Sequence, residues 1–216
     1  MEKSGKFRLT SLERNWILYD VGNSAFVLMV ATLIPIFFNA LAESGGLTSV
    51  EYLAYWGYAS SAVTIITAVL SPILGTVADT KGFKKPIFIL CVFVGIVGCC
   101  AMGAASAWLP FLVIFVIAKV GFSGSLVFYD SMLSDVTTPG RMDEVSSRGY
   151  AWGYIGSCVP FVASLGLILG ADAIGISIYK QIPGNLTVIR PCRIFNFFYF
   201  LIGSSNSLII NLLRHI

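Results

Sequence analysis

Gly75-Thr76-Val77-Ala78-Asp79-Thr80-Lys81-Gly82-Phe83-Lys84-Lys85 is a short charged stretch lying where two long apolar runs meet, Tyr52–Val77 and Pro86–Ala105. Its glycines permit a tight backbone turn. Asp79 can cap or bridge a neighbouring helix end, and three lysines hold the turn in water. Each flanking run is near or above the roughly 20 residues that a helix needs to cross hydrocarbon. In lipid every backbone polar group must be satisfied inside its own segment, so these runs read as helices rather than strands. The stretch is then a turn at a membrane surface, and its neighbours are antiparallel spans. Working outward, the same reading applies to Trp16–Phe38, Trp108–Leu133 and Tyr150–Leu169, with a less typical sixth run at Ile194–Leu213.

Composition agrees. Of 216 residues, 56% are hydrophobic and only 12% charged, where a soluble domain carries about a quarter charged. That leaves too little polar surface for a water-soluble particle, so the lipid bilayer is the expected partner. The net charge of +3 is spread over short loops, which gives no case for nucleic acid. Cys91, Cys99, Cys100 and Cys158 lie in apolar runs, no pair has zinc spacing, and His215 is the sole histidine. No metal site and no cofactor is expected. Ala40-Leu41-Ala42 resembles a signal-peptide cleavage site. The run before it is longer than the 7–15 residues or so of an apolar signal core. It also carries Asp20, Asn23 and Pro35, which suit a retained, packed helix.

The connections alternate in charge. Asn39–Glu51 has two acids and no base, Asp79–Lys85 has three lysines, Ser106–Ala107 has none, and Ser134–Ser147 has Arg141, with Arg148 just beyond. The positive-inside rule puts the basic N-terminus and the second and fourth connections in the cytoplasm. The expected division is a cytoplasmic segment 1–15, helices one to five over 16–170, a connecting loop 171–193 and a sixth helix over 194–213. Residues 180–216 contain no Ala, Asp or Glu and a single Val. Arg190 and Arg193 would lie outside, against the charge rule. Either ordinary drift or an aberrant tail accounts for the break.

Ionisable groups at bilayer depth are costly and need a reason. Asp20 lies one turn into the expected first helix, Lys119 near the middle of the fourth, and Asp130 three turns further on. Lys119 and Asp130 share a helical face but stand about 16 Å apart, so they cannot pair directly. The bland readings are hydration at the interface for the two acids and snorkelling for the lysine. Asp20, Asn23 and Ser24 share a face at i, i+3 and i+4. That face must turn inward, as interhelical glue or as part of a solute or coupling path. Gly149, Gly153 and Gly156, with Ser157, form a small-residue face for close packing. Tyr150, Trp152 and Tyr154 suit an interfacial belt.

The Gly75–Lys85 stretch resembles the loop between helices two and three of the major facilitator superfamily, keeping Gly75, Ala78, Asp79, Gly82, Lys84 and Lys85 and departing at Val77, Thr80 and Phe83. The resemblance implies that this is the cytoplasmic gate loop and that Asp79 braces it against the other half. Trp16-Ile17-Leu18-Tyr19-Asp20-Val21-Gly22-Asn23-Ser24-Ala25-Phe26 looks like the first helix of the branch related to the vacuolar, autophagy-linked amino-acid effluxers and their bacterial permease relatives. Phe128–Asp135 and Gly149–Gly156 resemble the same branch. The implied fold is all-α: the N-terminal six-helix half of a twelve-helix transporter with nested inverted repeats. The implied function is a multi-pass permease for a small solute, amino acids being the class suggested, in a bacterial plasma membrane.

The expected chain is a half-length one, completed by a second half or by a homodimer. The alternatives are a non-transporting fragment or assembly subunit, and an intramembrane serine protease. The last rests on Gly121-Phe122-Ser123-Gly124, which matches the Gly-x-Ser-Gly of rhomboid proteases. His215 would have to be the base within about 3 Å of Ser123, yet it follows the last span.

Overall fold

The computed structural model describes residues 8–80 and 82–169. Five α-helices follow one another: α1 Ser11–Ser44, α2 Ser49–Ala78, α3 Lys84–Ala104, α4 Trp108–Val136 and α5 Met142–Leu169, with a 3-10 turn at Pro139–Arg141 before α5. Among the described residues there is no strand. Four helices, α1 to α4, are long and apolar enough to cross a membrane. Lys81, the connecting loop 171–193 and the expected sixth helix 194–213 lie outside the described residues.

Local chemistry sets the helix starts. Thr10 accepts a hydrogen bond from the Glu13 N–H while the Glu13 carboxylate accepts from the Thr10 N–H, and Thr48 and Glu51 repeat the arrangement at α2. Both are reciprocal caps that satisfy orphan donors. Turns between helices are short. Gly46 at φ +86° and Gly82 at φ +88° take left-handed backbone conformations open to glycine.

Two helices start ahead of their apolar runs. The first helix begins at Ser11 rather than Trp16, so Asp20 is more than two turns inside it instead of one. The fifth begins at Met142, ahead of the apolar run Tyr150–Leu169, with Asp143 and Glu144 in its first turn. The polar starts 11–15 and 142–149 are amphipathic extensions of the apolar runs, and apolarity alone cannot mark their ends.

Short connections make successive helices antiparallel. The start of α1, the α2–α3 turn and the α4–α5 turn therefore share one end of the bundle, and the α1–α2 and α3–α4 turns share the other. α1 packs chiefly on α5, α3 on α4, and α2 on α4, with lighter α1–α4 and α1–α2 contacts. One core cluster, including Trp16, Tyr19, Phe88, Phe128 and Met132, fills the first end, and another, including Ile34, Phe38, Met102, Phe111 and Phe115, fills the second. α3 and α4 approach closely: a Cβ added at Gly98 would stand 2.6 Å from the Ala118 Cβ. Large apolar side chains on α2 and α5 are exposed, including Val50, Leu53, Ile65, Val69, Val159 and Val162. Such faces suit contact with lipid or with another helix, not water.

Candidate functional site

Midway along α4, Lys119 is half-buried and its Nζ lies 4.8 Å from the Phe122 ring centroid. It borders an open cavity of about 270 Å³ between α1, α2 and α4, lined by Val30, Ala31, Pro35, Trp56, Ser60, Val63, Thr64, Phe115 and Lys119. Trp56 and Phe115 pack with ring centroids 4.7 Å apart, so part of the wall is a rigid aromatic pair. Pro35 lies inside α1 and has no N–H, so the Ala31 carbonyl one turn before it loses its helical donor. The Thr64 hydroxyl donates to the Ser60 carbonyl at 3.0 Å. Among the described residues no ion pair involves Lys119.

Asp20 and Ser24 face α5. A Cβ added at Gly153 would meet Ser24 Oγ at 2.7 Å and Asp20 Oδ2 at 3.1 Å, and one at Gly149 would meet Trp16 Cζ3 at 2.8 Å. At Gly156 it would overlap Val21. The three glycines thus line the α1–α5 contact and let the backbone of α5 approach the polar face of α1. Asn23, one turn from Asp20, keeps a buried Oδ1 without a hydrogen-bond partner among the described residues. Asp130 is exposed on α4. The structure does not gather Asp20, Asn23, Lys119 and Asp130 into one pocket: of these four, the cavity is lined by Lys119.

At the end shared by the α1 start and the α2–α3 turn, Asp79 is exposed just past α2, with its N–H bonded to the Gly75 carbonyl. A Cβ added at Gly75 would meet nothing within 4 Å, so no described neighbour requires a glycine there. Lys84 forms an ion pair with Asp135 at 2.6 Å and reaches the Ser131 carbonyl at 3.4 Å, tying the turn to the end of α4. Lys85 is solvent-accessible in part, as is Lys84.

Sequence reasoning passed over a second tie at this end. Glu13 is 1% exposed. Its carboxylate accepts from the Arg141 guanidinium at 2.8 Å and from the Thr137 hydroxyl at 2.7 Å. Arg141 also donates to the Arg8 carbonyl at 2.8 Å. Trp16 and Tyr129 stack at 4.5 Å, and each donates a side-chain hydrogen bond to the other's carbonyl. The capping pattern Thr10-x-x-Glu13 was a readable signal for Glu13. The pairings of Lys84 with Asp135 and of Glu13 with Arg141 join residues 51 and 128 positions apart and leave no local trace.

Gly121 and Gly124, which flank Ser123, are explained by helix packing: added Cβ atoms would meet Val94 at 2.8 Å and Cys91 Sγ at 3.1 Å. His215 lies outside the described residues.

A family model described as "Vacuole effluxer Atg22 like" matches residues 11–140. An uncharacterized MFS-type transporter of Bacillus subtilis (strain 168), YxiO, is 41% identical over 183 residues, which is 83% of this chain and 43% of that protein. The chain therefore spans less than half the length of this curated relative. No solved structure matches. The matched region carries the polar face of α1, the charged turn after α2 and the lysine of α4. By the extent of that match, the chain belongs to the Atg22-like vacuole effluxer family, a group of membrane transporters of the major facilitator type.

Proposed function

We propose that this chain is the N-terminal half of a secondary permease for a small solute, with its inner face formed by α1, α2, α4 and α5. The observation that carries the reading is the placement of a mid-helix lysine beside a cavity within an otherwise apolar span. Such a group is expensive in lipid and is retained where a solute or an ion path uses it. Asp20, Asn23 and Asp130 are proposed members of the coupling path, and amino acids are the solute class suggested by the family resemblance. The basic end, with Arg8, Arg14, Lys84, Lys85, Arg141 and Arg148, faces the cytoplasm of a bacterial cell in this reading. Asp79 and the empty space over Gly75 are where the second half, or a second copy, would brace.

Substrate sites in this architecture lie between halves. Transport is therefore expected from the chain joined by a second half or a second copy. The test is saturable solute flux in proteoliposomes, with residues 1–216 reconstituted alone and with the C-terminal half of YxiO supplied separately. Flux with the added half supports the reading. Flux that is linear in concentration in both preparations, at the level of protein-free vesicles, rejects it.

A further inference from the structure

We infer that α2 is hinged between Thr67 and Pro72, and that its last turns, residues 73–78, swing on that hinge while the rest of α2 stays packed with α1, α3, α4 and α5. The motion belongs to this chain by itself and does not depend on the permease reading.

Several features weaken the helix at that point. Pro72 lies inside α2 and has no N–H, so the Ala68 carbonyl loses its helical donor and meets the proline ring. The Ser71 hydroxyl donates to the Thr67 carbonyl at 2.8 Å, and the Thr64 hydroxyl to the Ser60 carbonyl at 3.0 Å. Back-bonding of this kind competes with the helical ladder and bends helices. Sharp kinks in long helices arise at prolines. Thr67 Oγ1 is buried and has no hydrogen-bond partner among the described residues. It falls in register with the buried Val63 and Ala78 and the half-buried Leu74, on the side of α2 that packs inward. A buried hydroxyl left unpaired penalises the seated arrangement. Opening at the hinge lets water reach it and relieves that penalty.

The two lengths of α2 are held unequally. Before the hinge, Trp56 packs on Phe38 and Phe115 with ring centroids 5.4 and 4.7 Å away, and Tyr55 packs on Trp108 at 4.8 Å. Ala59 and Val63 are buried in the same cluster. After the hinge, Leu74 Cδ1 sits 3.2 Å from where a Cβ at Gly124 would stand, and Ala78 is buried. Ile73, Gly75 and Thr76 are exposed. The Thr76 and Thr80 hydroxyls donate to the Ile73 and Thr76 carbonyls, inside their own segment. Among the described residues no hydrogen bond or ion pair joins 73–80 to α1, α3, α4 or α5. The helix ends around it are cross-tied: Trp16 with Tyr129 and Glu13 with Thr137 and Arg141 bind α1 to α4 and its turn, and Lys84 with Asp135 binds α3 to α4. Past α2, Gly82 stands at φ +88° with nothing within 4 Å of an added Cβ, which gives the chain a second swivel before α3. Asp79 and Thr80 therefore travel with the short length.

The test is double electron–electron resonance on the 216-residue chain in lipid nanodiscs, with the native cysteines removed and pairs of spin-labelled cysteines introduced at exposed positions. One label replaces Phe93 on α3. The second replaces Thr76 beyond the hinge, Ile65 before it, or Tyr154 on α5. The expected distance distribution from Phe93 to Thr76 is at least twice as wide as those from Phe93 to Ile65 and to Tyr154. Pro72→Ala restores the missing N–H and should narrow the Thr76 distribution to the width of the other two, with the Tyr154 distribution unchanged. Equal widths for all three pairs without Pro72→Ala overturn the hinge before any hinge variant is made. A Thr76 distribution no wider than that of Ile65 overturns it too, because α2 then moves, or rests, as one rod. So does a Thr76 distribution that Pro72→Ala leaves wide while the Tyr154 distribution holds.

Discussion

Glu13 is the side chain whose environment is most demanding at the N-terminal end of the bundle. It is buried, and its oxygens are held by Thr10, Thr137 and Arg141. Removing the guanidinium leaves a buried carboxylate short of a donor. Hydrogen bonds to charged groups are worth about 1.5–3 kcal/mol, and Arg141 is partly exposed, so the lower part of that range applies. Arg141→Gln should lower the thermal midpoint in detergent, and Glu13→Gln combined with it should cost less than the two separate losses added together, because the pair acts as a unit. An additive double variant would mean that the contact carries no coupling. The α1–α5 glycines are tested in the same way. Gly153→Leu puts side-chain atoms where Ser24 and Asp20 already stand, so it should reduce folded yield sharply, whereas a change at Gly166, where an added Cβ meets nothing, should be silent in the isolated chain. The small-residue face 149-153-156 was legible from spacing alone. Its partner was not, because spacing says which residues share a face and not which helix that face meets.

At the scale of elements, the α3–α4 pair shows how a membrane helix contact is made with little room to spare. Gly95 and Gly98 on α3 and Ala118, Gly121 and Gly124 on α4 bring the two backbones together. Without a hydrophobic drive between helices in lipid, such contact is held by close packing. Gly98→Ala forces its Cβ to within 2.6 Å of the Ala118 Cβ unless the helices part. Overpacking of this kind costs about 1–3 kcal/mol. The expected result is a lower unfolding midpoint that Ala118→Gly, introduced with it, restores in part. No recovery would place the strain elsewhere. The existence and order of the five helices were readable from apolar runs and from the short turns between them. Their starts were misplaced by several residues because reciprocal caps and polar first turns, not apolarity, decide where a helix begins. The tie from Lys84 to Asp135 was unreadable for a different reason: it joins two helix ends that only the folded bundle brings together.

At the scale of the molecule, two surfaces ask for a partner, and they differ in chemistry. Apolar side chains exposed on α2 and α5, such as Val69 and Val159, are at home in lipid. The exposed Asp79 and the open space over Gly75 are not explained by lipid or by any described neighbour. If the basic end is cytoplasmic, single cysteines replacing Ser44 and Thr80 should differ: an impermeant thiol reagent added to intact cells should label the first and spare the second, in a background with the native cysteines removed. The reverse pattern would invert the proposed orientation. The same geometry predicts where Asp79 matters. Asp79→Asn keeps shape and removes charge, and its side chain pairs with no basic group among the described residues. The stability of this chain in detergent should therefore move by no more than the few tenths of a kcal/mol typical of exposed sites. If the proposed brace exists, the matching aspartate in a relative long enough to hold both halves meets its partner there, and the substitution should slow flux severalfold while leaving membrane insertion unchanged. Parallel measurement of unfolding in this chain and of flux in the longer relative separates the two cases. A large loss of stability here would make Asp79 a local structural residue of the α2–α3 turn, and the brace would have to be sought at Lys84 or Lys85 instead.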